Sequence, residues 1–292
     1  MINVLKFIYQ HPLNKQNKLA AIWRFVKWQI SSRVWGGSFV YRWIDNSKLI
    51  IANGMTGATG NIYVGLMEYE DMSFLLHYLQ EDDLFYDVGA NVGVYSVLAS
   101  KVKKATTVCF EPLPETYEKL LDNLTINRLD NVISYNIGLS FEKSKLYFTK
   151  DKDTMNRVSI ENTKNTEEVD VDTLDNMSEK HGIPKVIKVD VEGFEFNVLK
   201  GAKNILQSEE LEVIILELNG SGEKFGFNDD EIHQSLMELG FEACTYNPFE
   251  RKIIRLETYG THNTIYIKSR KIDKVKSNIK LTASFLVNGL NV

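Results

Sequence analysis

The sequence predicts an α/β protein whose core is a doubly wound, mostly parallel sheet, preceded by a helical extension. Three observations support this fold class. Short apolar runs typical of buried strands alternate along the chain with segments of helical periodicity. The first run of the core leads into a glycine-rich turn and then a helix. Several runs end in acidic residues, as expected where strand ends form a ligand site.

The run Leu84–Val88 predicts a buried strand that leads into a tight turn. The strand end and the turn contain Asp87, Gly89, Ala90, Asn91 and Gly93. Because glycine has no Cβ, the backbone of such a turn can approach a bound molecule closely. A dinucleotide turn requires glycine where this chain has Asn91, so the spacing fits NAD poorly. An acid before the first glycine favours a cofactor with a positively charged group, and a turn without a ligand is the alternative.

The remaining core strands are predicted, in chain order, at residues 106–110, 132–137, 186–191, 213–218, 241–246 and 264–267. Glu111 follows the first of these, about 20 residues beyond the turn, where a carboxylate can accept hydrogen bonds from ribose hydroxyls. A solvated glutamate at a strand end is the alternative.

An amphipathic helix is predicted over residues 19–30, because apolar residues recur there at spacings of three to four. These residues are Leu19, Ile22, Trp23, Val26 and Ile30. The helix either packs on the core or docks at a membrane or a partner. Residues 49–66 predict two short strands separated by glycines.

Length and composition predict one core domain at residues 49–268, with a basic, aromatic helical extension at 1–48 and a basic tail at 269–292. The two cysteines lack the spacing of a zinc site or a disulfide framework, which indicates a reducing, cytoplasmic setting. No stretch reaches the roughly 18–20 apolar residues of a membrane span.

The charges are distributed unevenly along the chain. Seven basic residues precede the first acid, Asp45, and the segment from Lys268 onward carries +5, whereas the whole chain carries −5. Two interpretations stay open: the basic ends contact the inner face of an anionic membrane or an acidic partner, or they pair with the acidic middle of the same protein or of a neighbouring subunit. A nucleic-acid partner is not expected, because the core is acidic.

Ligands of open α/β sheets bind beyond the carboxyl ends of the strands. The predicted strands bring these side chains to that edge: Asp87, Glu111, Asp190, Glu192, Glu217 and Asn219. Clustered carboxylates repel one another unless a cation, a ligand or a proton offsets their charge. We therefore expect a functional site here, with helix capping as the alternative.

Three separated motifs resemble the FkbM-type methyltransferase family: DVGANVGVYS from Asp87, FEPLPETYEKL from Phe110 and IKVDVEGFEFNVLKGA from Ile187. The resemblance implies a class I, Rossmann-like enzyme that uses S-adenosylmethionine to methylate a hydroxyl of a sugar, a glycan or a related natural product. It further implies cofactor contacts by Asp87, Gly89, Ala90, Asn91 and Gly93, with Glu111 at the ribose.

Methyl transfer to a hydroxyl requires an aligned acceptor oxygen and removal of its proton. Asp190, at the end of a central strand, is the first candidate for the base or a metal ligand, and Glu192 orients the acceptor or caps the next helix. Asp190, Glu217 and Asn219 offer oxygen ligands for Mg²⁺, although hydrogen bonding to substrate explains the same residues. His262, in a short polar loop before the last strand, is an alternative base.

Two other function classes compete with this prediction. A nucleotide-dependent oxidoreductase would require NAD binding, against which the turn spacing argues. A non-catalytic module would keep the cofactor fold and dock in a glycan-synthesis or membrane-associated assembly through the basic, aromatic extension.

Overall fold

The computed structural model describes residues 2–149, 158–159 and 163–292. The helices are α1 (Ile2–Gln10), α2 (Lys18–Val34), α3 (Thr56–Val64), α4 (Tyr69–Tyr78), α5 (Val94–Val97), α6 (Pro114–Asn127), α7 (Leu174–His181), α8 (Glu195–Lys200), α9 (Lys203–Gln207), α10 (Asp229–Glu238) and α11 (Ile272–Leu281). The strands are β1 (Ser38–Arg42), β2 (Lys48–Ala52), β3 (Leu84–Val88), β4 (Thr106–Phe110), β5 (Val132–Tyr135), β6 (Gly138–Leu139), β7 (Ser144–Thr149), β8 (Val158–Ser159), β9 (Thr166–Asp172), β10 (Val186–Val189), β11 (Val213–Glu217), β12 (Phe241–Asn247), β13 (Lys252–Arg255), β14 (Asn263–Lys268), β15 (Leu286–Val287) and β16 (Leu290–Asn291).

The central sheet confirms the predicted fold class. Its strand order is β13-β12-β14-β11-β10-β3-β4-β5. β3 lies between β4 and β10 and runs parallel to both, and β5 and β11 extend the parallel region on either side. β14 runs antiparallel to β11 and β12, and β12 forms a hairpin with β13. The chain winds outward in both directions from β3 and β10, so the topological switch point lies between these two strands.

Apolar side chains cover both faces of the sheet, which explains the near-continuous apolar runs in its strands. On β3, Phe85 joins the hydrophobic cluster of one face and Tyr86 that of the other. On β11, Ile215 belongs to the same cluster as Phe85, and Ile214 belongs to the same cluster as Tyr86. Alternate strand residues point to opposite faces, and helices on both faces complete the layers. The two cysteines are free and buried.

The N-terminal segment packs on the same core. Ala21, Phe25 and Trp28, on the inner face of α2, belong to the hydrophobic cluster that contains Phe85. Of the apolar stripe predicted for this helix, Leu19, Trp23 and Ile30 are exposed on the other side, whereas Val26 packs against the cluster. Both faces of α2 carry large apolar residues at helical spacing, so periodicity alone did not identify the buried one.

One prediction in this segment is wrong. Residues 49–66 hold a single strand, β2, which pairs with β1, followed by helix α3. From Ala58 onward every residue of α3 is buried, and the helix contacts α2 and β2. A glycine-rich segment enclosed on all sides shows no helical amphipathicity, so its packing determines its conformation. None of the described helices is long and apolar enough to cross a membrane.

Candidate active site

The turn after β3 is bonded to the end of β4 and lies against the end of β10. The backbone N–H groups of Gly89 and Ala90 both donate to the carbonyl of Phe110, at 3.1 and 2.9 Å. Gly89 has a φ of +77°, and a Cβ added there would lie 1.9 Å from the carbonyl oxygen of Asp190. Only glycine fits this contact, because both the backbone conformation and the space exclude a side chain.

Two buried acids flank the turn. Asp87 accepts a hydrogen bond from Ser96 Oγ at 2.7 Å, and burial raises the pKa of its carboxyl against the opposing effect of Lys188. Glu111 accepts hydrogen bonds from the backbone N–H groups of Asn91 and Leu113, at 3.0 and 3.1 Å. Burial raises the pKa of Glu111 to about 7, although these two bonds favour the ionised form. Its carboxylate is thus held in place beside the turn.

A cavity of about 200 Å³ opens at the switch point. Residues that line it include Thr56, Gly57, Glu68, Asp87, Gly89, Ala90, Asn91, Tyr95, Lys188, Asp190, Glu192 and Glu217. An adjoining cavity of about 50 Å³ shares Gly89, Asn91, Asp190 and Glu192 with it and reaches Glu111. The structure therefore places most of the predicted site residues around one cleft. Gly93 lies behind the turn at the start of α5, where its φ of +82° begins the helix.

Three ionisable side chains, Lys188, Asp190 and Glu217, occupy the side of the cleft formed by β10 and β11. Lys188 is 3% exposed, and its Nζ donates to Asp190 Oδ2 at 2.7 Å. Burial disfavours ionisation of Asp190, but the Lys188 ammonium outweighs this effect and lowers the pKa of the Asp190 carboxyl. Burial and the neighbouring Asp190 charge raise the pKa of Glu217 to about 9. Glu217 is therefore protonated at neutral pH and donates a hydrogen bond to Asp190, which stays ionised.

The two glutamates after β10 have different roles. Glu192 lines the cleft, with a φ of +56°. Glu195 is buried and accepts hydrogen bonds from the backbone N–H groups of Val191 and Gly193, both at 3.1 Å. Glu195 thus stabilises the turn that leads into α8.

Two predicted residues lie away from the cleft. Asn219 is exposed, and its Oδ1 accepts a hydrogen bond from the backbone N–H of Ser221 at 2.9 Å, so the side chain closes a turn instead of facing Asp190 and Glu217. His262 is exposed in the loop before β14, and its carbonyl accepts from the N–H of Leu218. The polar loop context suggested proximity, but the chain directs this imidazole to solvent.

Sequence reasoning missed Lys188. A lysine two residues before an acid in a strand points to the same side as that acid, and this spacing was the available signal. A second network, formed by residues distant in sequence, reaches the cleft through Glu68 and Tyr95. Glu68 Oε2 accepts hydrogen bonds from Tyr95 Oη at 2.5 Å and from Asn263 Nδ2 at 2.9 Å. No local pattern connects these three residues.

The parallel sheet, its switch-point cleft and the acids at its strand ends define a class I, Rossmann-like methyltransferase fold. The family model described as the methyltransferase FkbM domain matches residues 87–246, which is more than half of the chain, and the chain belongs to this family.

Curated relatives are similar over part of their length. The hexuronic acid methyltransferase AglP of Haloferax volcanii is 33% identical over 154 residues, covering 52% of this chain and 62% of that protein. Methyltransferase 1 of Beauveria bassiana is 27% identical over 146 residues, covering 41% of this chain and 59% of that protein. The chain thus spans about three fifths of the length of these relatives. Among solved structures, the precorrin-6y C5,15-methyltransferase of Geobacter metallireducens GS-15 gives a TM-score of 0.44 at 13% identity, covering 76% of this chain and 94% of that one.

Proposed function

We propose that the chain transfers a methyl group from S-adenosylmethionine to a hydroxyl of a sugar, a glycan or a related natural product. The observation that carries this proposal is the meeting, in one cleft, of the Gly89 turn, two buried acids and the Lys188–Asp190 pair. Membership of the FkbM family supports methyl transfer. Similarity to a protein named a hexuronic acid methyltransferase supports a carbohydrate acceptor.

The residues around the turn fit S-adenosylmethionine. The backbone at Gly89 forms part of the cleft surface, and a side chain at this position would disrupt it. Hydrogen bonding from the Asn91 N–H holds Glu111 where a carboxylate can accept hydrogen bonds from ribose hydroxyls. Asp87 lines the cleft, where its acidic group suits a cofactor with a positively charged end. When bound, this cofactor supplies an electrophilic methyl carbon on a positively charged sulfur.

Asp190 is the group placed to accept the proton of the acceptor hydroxyl. It is ionised because Lys188 lies beside it, and it lines the cleft next to the Gly89 turn. Glu217 donates a hydrogen bond to the same carboxylate and limits its movement. Glu192 extends this wall and can hydrogen-bond to the acceptor. A positioned base of this kind accelerates reactions by about 10²–10⁴-fold.

Magnesium is the second candidate for activating the acceptor. Carboxylate oxygens of Asp190, Glu192 and Glu217 lie within 4.8 Å of one another, a donor set that suits an oxygen-ligated cation. An ion bound there has to compete with the Lys188 ammonium and with the Glu217 proton. The rate with chelator and with added Mg²⁺ tests this: an unchanged rate means that the side chains activate the acceptor without a metal.

The cofactor is tested by calorimetric titration with S-adenosylhomocysteine and, separately, with NAD. We expect the first to bind and the second not to bind. Asp87→Ala and Glu111→Ala should each weaken binding, whereas Glu115→Ala, which removes an exposed glutamate four residues further along the chain, should not. A folded protein that binds neither molecule would favour the non-catalytic docking module.

The acceptor is tested with matched pairs of sugars. Hexuronic acid glycosides and the corresponding neutral hexosides are incubated with S-adenosylmethionine, and the methylated product is located by NMR. O-methylation of a sugar that is lost in Asp190→Asn supports the proposal. Cofactor binding without methylation of any hydroxylated acceptor contradicts the acceptor class but leaves the cofactor site intact.

A further inference from the structure

One side of α2 exposes large apolar side chains along its whole length. The α2 outer stripe consists of Leu19, Trp23, Lys27, Ile30 and Val34, spaced by three or four residues. Its four apolar members are 54–82% exposed, and Trp35, which follows the helix, is 72% exposed. The stripe spans about 22 Å, at 1.5 Å per residue. An exposed stripe of this length, apolar except for Lys27, indicates an interaction surface.

Helix α1 lies beside α2 and adds to this surface. It contacts α2, and Lys18 Nζ at the start of α2 lies 3.7 Å from the centre of the Tyr9 ring. Ile2 and Tyr9 of α1 are exposed. The apolar surface therefore involves both helices of the N-terminal segment.

The same segment is strongly basic. Residues 1–44 contain no acid and seven basic residues: Lys6, Lys15, Lys18, Arg24, Lys27, Arg33 and Arg42. In the part of the chain that the structure describes, none of these seven forms an ion pair with a carboxylate.

The basic C-terminal segment differs in this respect. Lys271 and Lys274 pair with Glu212, and Arg270 pairs with Glu209. The acidic core therefore offsets charge at the C-terminal end, whereas the exposed cations of the N-terminal segment, such as Lys6, Lys15 and Lys27, stay available to a partner.

We propose that the outer face of α1 and α2 binds a lipid bilayer that carries anionic headgroups. Tryptophan side chains favour the boundary between headgroups and acyl chains, and lysine and arginine are attracted to anionic lipid. A helix with this combination lies in the plane of the interface. A second copy of the chain fits the surface poorly, because two segments that carry exposed cations and no acid would face one another.

Helices α2 and α3 connect this surface to the cleft. Arg24 on α2 donates from Nη2 to the carbonyl of Tyr63 on α3, at 2.9 Å. Thr56 and Gly57, at the start of α3, line the cleft. The bilayer contact and the wall of the cleft are therefore connected through α2 and α3.

The test measures co-sedimentation of the full chain with vesicles of phosphatidylcholine alone or with about 30% phosphatidylserine. We expect the chain to bind only the anionic vesicles. Its affinity for them should fall several-fold when the salt concentration rises from about 0.05 to 0.3 M, because salt reduces the distance over which the charges attract one another.

Matched variants distinguish binding through this surface from nonspecific adsorption to vesicles. Leu19→Ser and Lys27→Glu should each weaken vesicle binding about tenfold. Leu281→Ser and Lys252→Glu are the controls and should bind as the unmodified chain does, since Leu281 is 86% exposed on α11 and Lys252 is exposed on β13. Thermal unfolding of all four establishes that they are folded.

Tryptophan emission gives a second readout, because all four tryptophans lie between residues 23 and 43. Trp28 is buried and Trp43 Nε1 donates to the carbonyl of Gly65, so a blue shift on vesicle binding reports Trp23 and Trp35. Brominated lipid should quench this emission in the unmodified chain, and the quenching should fall in Trp23→Ser. The proposal is overturned if anionic vesicles do not bind, if neutral vesicles bind equally, or if the α11 control loses binding as Leu19→Ser does. Self-association abolished by Trp23→Ser would likewise overturn it, because the surface would then join two copies.

Discussion

Replacing Gly89 with alanine tests whether close contact between the β3 turn and the end of β10 builds the cofactor site. The new Cβ would lie 1.9 Å from the carbonyl oxygen of Asp190, whereas non-bonded atoms pack at about 3.5 Å. The two strand ends must therefore separate by roughly 1.5 Å. The φ of +77° adds about 1–2 kcal/mol of backbone strain for any residue with a Cβ.

Gly240→Ala is the matched control. Gly240 has a φ of +80° and nothing within 4 Å of an added Cβ, so it carries the same backbone strain without the clash. We expect Gly240→Ala to lower the Tm by a few degrees and to leave cofactor affinity unchanged. Gly89→Ala should lose about 1–3 kcal/mol more in free energy of unfolding, the usual cost of overpacking.

The decisive assay is calorimetric titration of both variants with S-adenosylhomocysteine. Moving the turn should cost about 1–3 kcal/mol of hydrogen bonding to the cofactor, so Gly89→Ala should bind about 10–100-fold more weakly than Gly240→Ala. Equal affinities of the two variants would refute the reasoning, since the contact with Asp190 would then have no effect on the cofactor site.

Three further predictions follow from the site and the core. Lys188→Met removes the cation that keeps Asp190 ionised, so the rate at pH 7 should fall by at least about 10²-fold and the acidic limb of the kcat/KM profile should move to higher pH. Glu111→Gln should raise the KM for cofactor about 10–100-fold, as expected for loss of charged hydrogen bonds, with the acceptor KM unchanged. Burial, together with the charge of Arg251, lowers the pKa of His77 to about 4, below its unfolded value of about 6.5. The stability that neutral His77 contributes is therefore complete above pH 6.5 and is lost as pH falls toward 4. In urea unfolding, the stability difference between His77→Gln and the unmodified chain should change by about 3 kcal/mol over that window.

The sheet was predictable because its strands follow simple rules. Strands buried on both faces read as apolar runs, and strands that alternate with helices form parallel sheets with their carboxyl ends together. These two rules predict that Asp87, Glu111, Asp190 and Glu217 lie at one edge of the sheet, and the structure places them around the cleft. Asn219, only two residues past β11, does not face the cleft, because its side-chain oxygen accepts a hydrogen bond within the turn that follows the strand.

Contacts between distant segments were not predictable in this way. Helix α3 is buried on all sides, so its sequence lacks the polar face that reveals a surface helix. The bonds that Tyr95 and Asn263 donate to Glu68 join segments 27 and 195 residues apart. Periodicity did not reveal the inner face of α2, because the same helix carries a second apolar stripe that is exposed.

The acidic edge of the sheet shows how its charges are balanced. Clustered carboxylates repel one another unless a cation, a ligand or a proton offsets their charge, and in this structure the chain itself provides a cation and a proton. Lys188 is a cation fixed in the same strand as Asp190, and Glu217 keeps its proton because its pKa is raised to about 9. If Asp190 takes the proton of an acceptor hydroxyl, the buried ammonium loses its partner just as negative charge develops on the acceptor oxygen. An acceptor oxygen near Lys188 would replace that partner, so the ammonium stabilises charge before and after the proton moves.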